Sequence, residues 1–311
     1  MLANILIFVS AFTLVIQGAT LATTYSVKLS QNFRFSKHVM SFVVVAIVGI
    51  LPETLIVINS ALKGIPEFGL GTLFGSNIAD LTLVFAIIIF YAGRGLKIKS
   101  DILKDIKLYP LFVLLPLLFG LNGNYTRVEG AILIIIGLVF YYYIFKNDAE
   151  KVPHLGEREA KLKNIAFFLL AMVLLLVGSH YVVISATSLA NALQIPAILI
   201  GILIIGLGTT MPELFYSLRS VKKKDDDLAV GDLLGTVLAD VTIVVGLLAI
   251  IQPFSFPPKI IFVTGAFMLV ASILLIRFMH SEKTLSKKEG FILFAFWLLY
   301  IITEFFVNSI H

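Results

Sequence analysis

Gly206-Leu207-Gly208-Thr209-Thr210-Met211-Pro212-Glu213, followed downstream by Gly235-Thr236-Val237-Leu238-Ala239-Asp240, sets the frame for the whole chain. Subtracting 160 from those numbers returns Leu51-Pro52-Glu53 and Gly75-Ser76-Asn77-Ile78-Ala79-Asp80. Glu and Asp stand 27 residues apart in both copies (80 − 53 and 240 − 213), with no gap needed between the copies. Each copy places two carboxylates inside apolar runs long enough to cross a bilayer, where an ionisable side chain is costly and marks a functional site. Paired acids in a duplicated frame point to a path for cations.

The surrounding composition agrees. Of 311 residues, 59% are hydrophobic and 14% charged, against about 25% charged in a soluble domain. Mean hydropathy is +1.01, the mark of a polytopic membrane protein. The absence of cysteine excludes disulfides, thiolate metal ligands and a cysteine nucleophile. No basic segment precedes the first apolar run, which reaches Val27. That run is too long for a signal-peptide core, so a retained first span is expected.

A helix needs roughly 20 apolar residues to cross the hydrocarbon core. That length predicts ten spans, at about 3–27, 38–62, 68–92, 108–121, 128–146, 164–189, 196–218, 229–251, 259–277 and 290–309. Odd-numbered connections then hold 21 of the 24 Lys and Arg residues. The positive-inside rule puts those connections in the cytoplasm and both termini outside a plasma membrane. The net charge of +5 therefore follows topology and does not imply a nucleic-acid partner. The lipid bilayer and the transported cations are the expected partners, and nothing in the sequence sets an oligomeric state.

An offset of 160 residues corresponds to five spans, an odd number, so the second half is expected upside down relative to the first. The fold class predicted is an all-α polytopic membrane protein, ten transmembrane helices arranged as two inverted five-helix repeats. Residues 1–146 form the first repeat, 147–163 a charged cytoplasmic linker, and 164–311 the second. Between Ala46 and Val84, 11 of 39 positions match their partners at +160, and Gly18/Gly178 extends the frame. Inverted repeats typify secondary transporters, whose sites lie near the midplane at the repeat interface.

Four spans carry the expected site. Pro52 and Pro212 each precede a Glu within a span, and proline frees the carbonyl four residues back, here Val48 and Gly208. Such carbonyls need a partner in lipid, and a cation can be one. Ser76 and Asp80, like Thr236 and Asp240, are four apart and share a helix face, although either hydroxyl alone could simply bond back to its own helix. The candidate metal ligands are Glu53, Asp80, Glu213 and Asp240, with hydroxyls from Ser76, Thr209, Thr210 and Thr236. An all-oxygen set disfavours zinc and copper. It suits calcium, with its tolerant 6–8 oxygen ligands, better than magnesium. Sodium or protons are the natural counter-ions. Four ionised carboxylates carry −4 against +2, so at least one acid is expected to hold a proton at neutral pH.

At these residues the chain resembles the calcium/cation antiporter superfamily, most closely its prokaryotic sodium/calcium exchanger branch. Gly178-Ser179 through Gly208-Thr209-Thr210-Met211-Pro212-Glu213 is similar to the family's second repeat. The resemblance implies ten helices in two inverted halves, and alternating access around a four-helix core past which spans 1 and 6 slide. It implies a non-enzymatic antiporter without organic cofactor, exchanging Ca2+ for Na+. Two departures stand out. The family's Gly-Thr-Ser-type triplet survives as Gly208-Thr209-Thr210 but reads Val48-Gly49-Ile50 in the first half, and Asp80 stands where the branch often has Asn. Both make coupling to H+ a credible alternative.

A passive cation channel is the remaining transport reading, since acidic rings also select cations. An intramembrane protease fits poorly: Ala229-Val230-Gly231-Asp232 lacks the first Gly of G-x-G-D, and Asp232 is expected near solvent. His180 is read as a packed polar spot and Glu304 as facing water. Tyr141-Tyr142-Tyr143 is read as an interfacial anchor, and Lys222-Lys223-Lys224 as a topology determinant.

Overall fold

The computed structural model describes residues 2–30, 46–98, 108–147, 161–195, 197–281 and 284–309. Most of the expected linker, 147–163, and the first connection lie outside these residues, as does the start of the second expected span. The chain begins with α1 (Leu2–Ser30). A broken helix follows, α2 (Ala46–Gly49) and α3 (Leu51–Leu62). Next comes α4 (Pro66–Ala79), which passes through a π-helical turn at Asp80–Val84 into α5 (Phe85–Ala92). Strand β1 (Leu96–Lys97), helix α6 (Tyr109–Phe119), β2 (Asn124–Tyr125) and α7 (Arg127–Asn147) complete this stretch.

The second stretch opens with α8 (Lys161–Leu193). Helix α9 (Ala197–Ile200), a π turn at Gly201–Ile205, α10 (Gly206–Thr209) and α11 (Met211–Lys222) form its broken helix. Helix α12 (Asp226–Ala239) enters a π turn at Asp240–Val244 and leaves it as α13 (Val245–Ile251). Strand β3 (Phe254–Ser255), a π turn at Ile261–Gly265, α14 (Ala266–Ser281), β4 (Thr284–Leu285) and α15 (Lys287–Ser309) end the chain. Seven helical stretches among the described residues are long and apolar enough to cross a membrane, and Leu51–Leu62 and Tyr109–Asn122 are shorter apolar helices. The protein is a helical multi-pass membrane protein.

Local chemistry repeats at the 160-residue offset. Both breaks fall two residues before a proline, at Ile50 (φ −69°, ψ −4°) and Thr210 (φ −76°, ψ −4°). The π turns at Asp80–Val84 and Asp240–Val244 both start on an aspartate. A π turn widens the backbone hydrogen-bond ladder and is frequent at functional sites. At each one a threonine hydroxyl covers a loosened carbonyl: Thr82 donates to Ile78 and Thr242 to Leu238. Capping boxes recur too, with Glu129 accepting from the Thr126 backbone N–H at 2.7 Å and Glu289 from that of Ser286 at 2.7 Å.

The prediction of a purely α chain misses two short antiparallel ribbons, β1 with β4 and β2 with β3. Two residues per strand leave no hydrophobic pattern to read, and the pairing joins segments more than 120 residues apart. Bundle packing depends on small residues. Helices α1 and α8 run along each other, with Gly18 and Gly178 at their contact. A methyl group on Gly178 would stand 3.0 Å from the Ala11 carbonyl oxygen.

The turns before α4 and α12 also correspond. Gly64 has φ +75°, and Lys224, 160 residues on, has φ +60°. A left-handed backbone suits glycine and strains a residue with a Cβ. The Asp226 carboxylate steadies the second turn. It accepts from Arg94 Nη1 at 2.6 Å and Nη2 at 2.8 Å, and from the Lys97 N–H at 2.8 Å. Replacing Lys224 with Gly is expected to stabilise the protein by about 1 kcal/mol, read as a higher unfolding midpoint in detergent. An unchanged or lower midpoint would contradict the strain.

Candidate cation site

All eight predicted ligands are buried: Glu53 at 0%, Asp80 at 1%, Glu213 at 2% and Asp240 at 0% exposure, with Ser76, Thr209, Thr210 and Thr236 at 1% or less. The elements that carry them meet. Helix α4 packs against the π turn Gly201–Ile205 and against α10, and α2 packs against α12. Glycines make this possible. A methyl group on Gly75 would lie 2.3 Å from the Ile202 carbonyl oxygen, and one on Gly206 would lie 2.7 Å from the Ser76 nitrogen. Backbone touches backbone here, so the side chains of both halves project into one zone.

Each broken helix reaches the other's glutamate. Gly49 stands four residues before Glu53, and a methyl group on it would fall 2.8 Å from Glu213 Oε1 and 3.3 Å from Thr236 Oγ1. Thr209 stands four residues before Glu213 and neighbours the Glu53 carboxylate closely enough to interact. Its hydroxyl donates instead to the Gly206 carbonyl at 3.2 Å. The missing hydroxyl at position 49 thus leaves room for a carboxylate from the opposite half. Asp80 and Asp240 both lie within electrostatic reach of Glu53, and Glu213 within reach of Glu53 and Asp80.

The oxygens are poorly satisfied within the protein. No donor among the described residues reaches either oxygen of Glu53, Glu213 or Asp240, Oδ1 of Asp80, or the Thr236 hydroxyl. Ser76 and Thr210 donate to their own helices, at 3.0 Å to Leu73 and 2.8 Å to Leu207. Back-bonding of this kind uses the proton and leaves hydroxyl lone pairs for a cation. The acids share one buried zone, yet among the described residues no three acid or imidazole groups close into a ready-made chelate.

The sequence reading missed several neighbours. Asn77 and Ser217 are buried and Thr54 is half-buried, and their buried polar atoms meet no donor or acceptor among the described residues. Ser217 follows Glu213 by one helical turn, a signal the spacing did contain. Two tyrosines brace α12: Tyr109 donates to the Leu234 carbonyl at 2.9 Å and Tyr141 to that of Gly235 at 2.6 Å.

Three expectations are overturned. Tyr141 is no interfacial anchor, being 5% exposed, whereas Tyr142 and Tyr143 are open at 65% and 62%. A tyrosine hydroxyl within a span finds a carbonyl partner, and Tyr141 has the helix face that meets α12. Glu304 does not face water: it is buried and accepts from the Thr264 hydroxyl. Asp232 is also buried, at 1% exposure, because the face it shares with Thr236 and Asp240 turns inward. His180 is a packed polar spot, 3.4 Å from Asn59 Oδ1, beside a 2.9 Å hydrogen bond from Asn59 to Ser179.

The profile of the family described as Sodium/calcium exchanger protein matches residues 3–146 and 163–306. The chain belongs to that family. Among curated proteins it is 30% identical over 241 residues to a putative antiporter, CaxA, of Alkalimonas amylolytica, covering 72% of this chain and 73% of that one. It is 21% identical to the sodium/calcium exchanger MaX1 of Methanosarcina acetivorans, over 98% of this chain and 99% of that protein. The fold is that of the sodium-calcium exchanger NCX_Mj, with a TM-score of 0.72 at 21% identity over 96% of this chain and 98% of that one.

Gly49 offers a test of the cross-half geometry. Gly49→Ala is expected to displace the Glu213 carboxylate and weaken calcium binding on the order of tenfold, with the elution profile in detergent unchanged. Binding equal to the wild type would remove Gly49 and Glu213 from a shared site.

Proposed function

We propose that this exchanger-family protein is a secondary-active antiporter that moves Ca2+ across the membrane in exchange for Na+. Ions would bind at Glu53, Asp80, Glu213 and Asp240, near the midplane, with Ser76, Thr209, Thr210 and Thr236 adding hydroxyl oxygens. The observation that carries this reading is the reciprocal approach of each broken helix to the other's glutamate. Two proline-interrupted helices that meet at buried acids suit a site opened alternately to either side. Acids without internal donors suit a cation as their partner.

The same reading makes the architecture ten transmembrane helices in two inverted five-helix repeats, residues 1–146 and 164–311, joined by 147–163. It places both termini outside a plasma membrane, and the α1–α8 pair becomes the element that slides past the core. Recurrence of breaks, π turns and capping boxes at +160 supports the repeat. Calcium remains favoured over magnesium because flexible multi-oxygen coordination tolerates an irregular cage. Alternating occupancy by calcium or by monovalent cations would keep the charged site from crossing empty, which is the condition for exchange rather than leak.

One observation favours a second counter-ion, H+. Gly49 and Ile50 supply no side-chain oxygen where Thr209 and Thr210 do, and Asp80 adds an acid. Fewer hydroxyls and one more carboxylate suit protons better than a full sodium complement. A passive channel would need a path open to both sides at once.

Two measurements test these proposals. In proteoliposomes, Glu53→Gln and Glu213→Gln are each expected to reduce calcium-45 exchange to background, with the protein still monodisperse. Normal uptake by both variants would exclude the site. With wild-type protein, calcium efflux is expected to follow an imposed sodium gradient. A response to a pH gradient alone would replace Na+ with H+, and non-saturating flux without counter-transport would indicate a channel.

A further inference from the structure

Asp232 is a buried acid that the four-carboxylate site does not use. It lies in α12, one turn before Thr236 and two turns before Asp240, so the three share a face. It is 1% exposed, and neither of its oxygens meets a donor among the described residues. One turn on, along the same face, a methyl group on Gly49 would fall 3.3 Å from Thr236 Oγ1 and 2.8 Å from Glu213 Oε1. Asp232 therefore lies on the inward face of α12, the face that carries Thr236 to the central acids.

The fold itself does not call for an acid here. At the equivalent place in α4 stands Thr72, also fully buried, whose hydroxyl donates to its own helix at the Phe68 carbonyl, 3.0 Å away. One half satisfies this position with a self-contained hydroxyl. The other keeps a carboxylate with no internal partner, and an unpaired buried carboxylate needs a cation or a proton. Asp232 also stands about 12 Å along the helix from Asp240, by eight residues of 1.5 Å rise. That displacement is toward the Asp226 end, the face read above as cytoplasmic.

We propose that Asp232 is a fifth cation-binding carboxylate, an inner station where the transported cation rests between the Asp226 face and the central acids. Several moderate sites in series let an ion enter and leave where one deep site would trap it. Because the first half has threonine instead, the station serves one face alone. This inference rests on the antiport reading and adds a side-specific binding step to it.

The test uses full-length protein in right-side-out and inside-out membrane vesicles, with calcium as the probe and a sodium gradient as the driving force. Asp232→Asn and Asp232→Thr, the latter importing the Thr72 solution, are compared with the wild type and with Glu213→Gln. Half-saturating calcium is expected to rise about tenfold at the Asp226 face and by less than about twofold at the other. Calorimetric calcium titration of detergent-purified Asp232→Thr is expected to show one weak binding step fewer than the wild type. Unchanged half-saturation at the Asp226 face, an equal change at both faces, or total loss of exchange by a folded Asp232→Thr protein each overturn the station. A wild type that fails to exchange, or a Glu213→Gln variant that still does, overturns the antiport reading instead.

Discussion

A carboxylate that leaves water and finds no donor is among the costliest groups a protein can bury, at several kcal/mol each even after relaxation. This chain does so with Glu53, Glu213, Asp232 and Asp240, and in part with Asp80. The rest of the bundle is shaped by holding those groups in place. Proline interrupts two helices so that a glutamate follows each break. Two of the π turns begin on Asp80 and Asp240, and Thr82 and Thr242 cover the carbonyls that these widened turns loosen. Tyr109 and Tyr141 hold α12 from behind by its own backbone. The scaffold satisfies its backbone while leaving the acids unsatisfied, a division of labour that suits a protein whose ligand is a cation.

Glycine does the geometric part. Where Gly75 and Gly206 meet the opposite backbone, no side chain would fit, and the two halves approach until their acids feel one another. Position 49 carries this further. The second half keeps a threonine at the equivalent place, whereas the first half leaves a gap that Glu213 enters. The halves are therefore related in framework but unequal in chemistry, with a hydroxyl beside one glutamate and bare backbone beside the other.

Much of this was legible from residue order. The +160 frame located four acids that the fold buries, Glu53, Asp80, Glu213 and Asp240, because an ionisable group in an apolar run is visible without knowing the fold. Hydropathy locates a residue along the chain but not around the helix, and the misreadings share that cause. Tyr141 and Tyr142 are neighbours in sequence and opposites in environment. Glu304 and Asp232 lie close to expected span ends, and packing turned both inward. The ribbons escaped because two-residue strands carry no period. Lys224 hid the turn that Gly64 makes plain, because a lysine gives no sign in the sequence of a left-handed backbone.

The two ribbons have a further consequence. Strand β1 finds its partner in β4 and β2 in β3, so each portion of the chain lends one strand to each ribbon and completes neither alone. Cut at residues 147–163, the polypeptide would give two fragments with open edges that only the other could close.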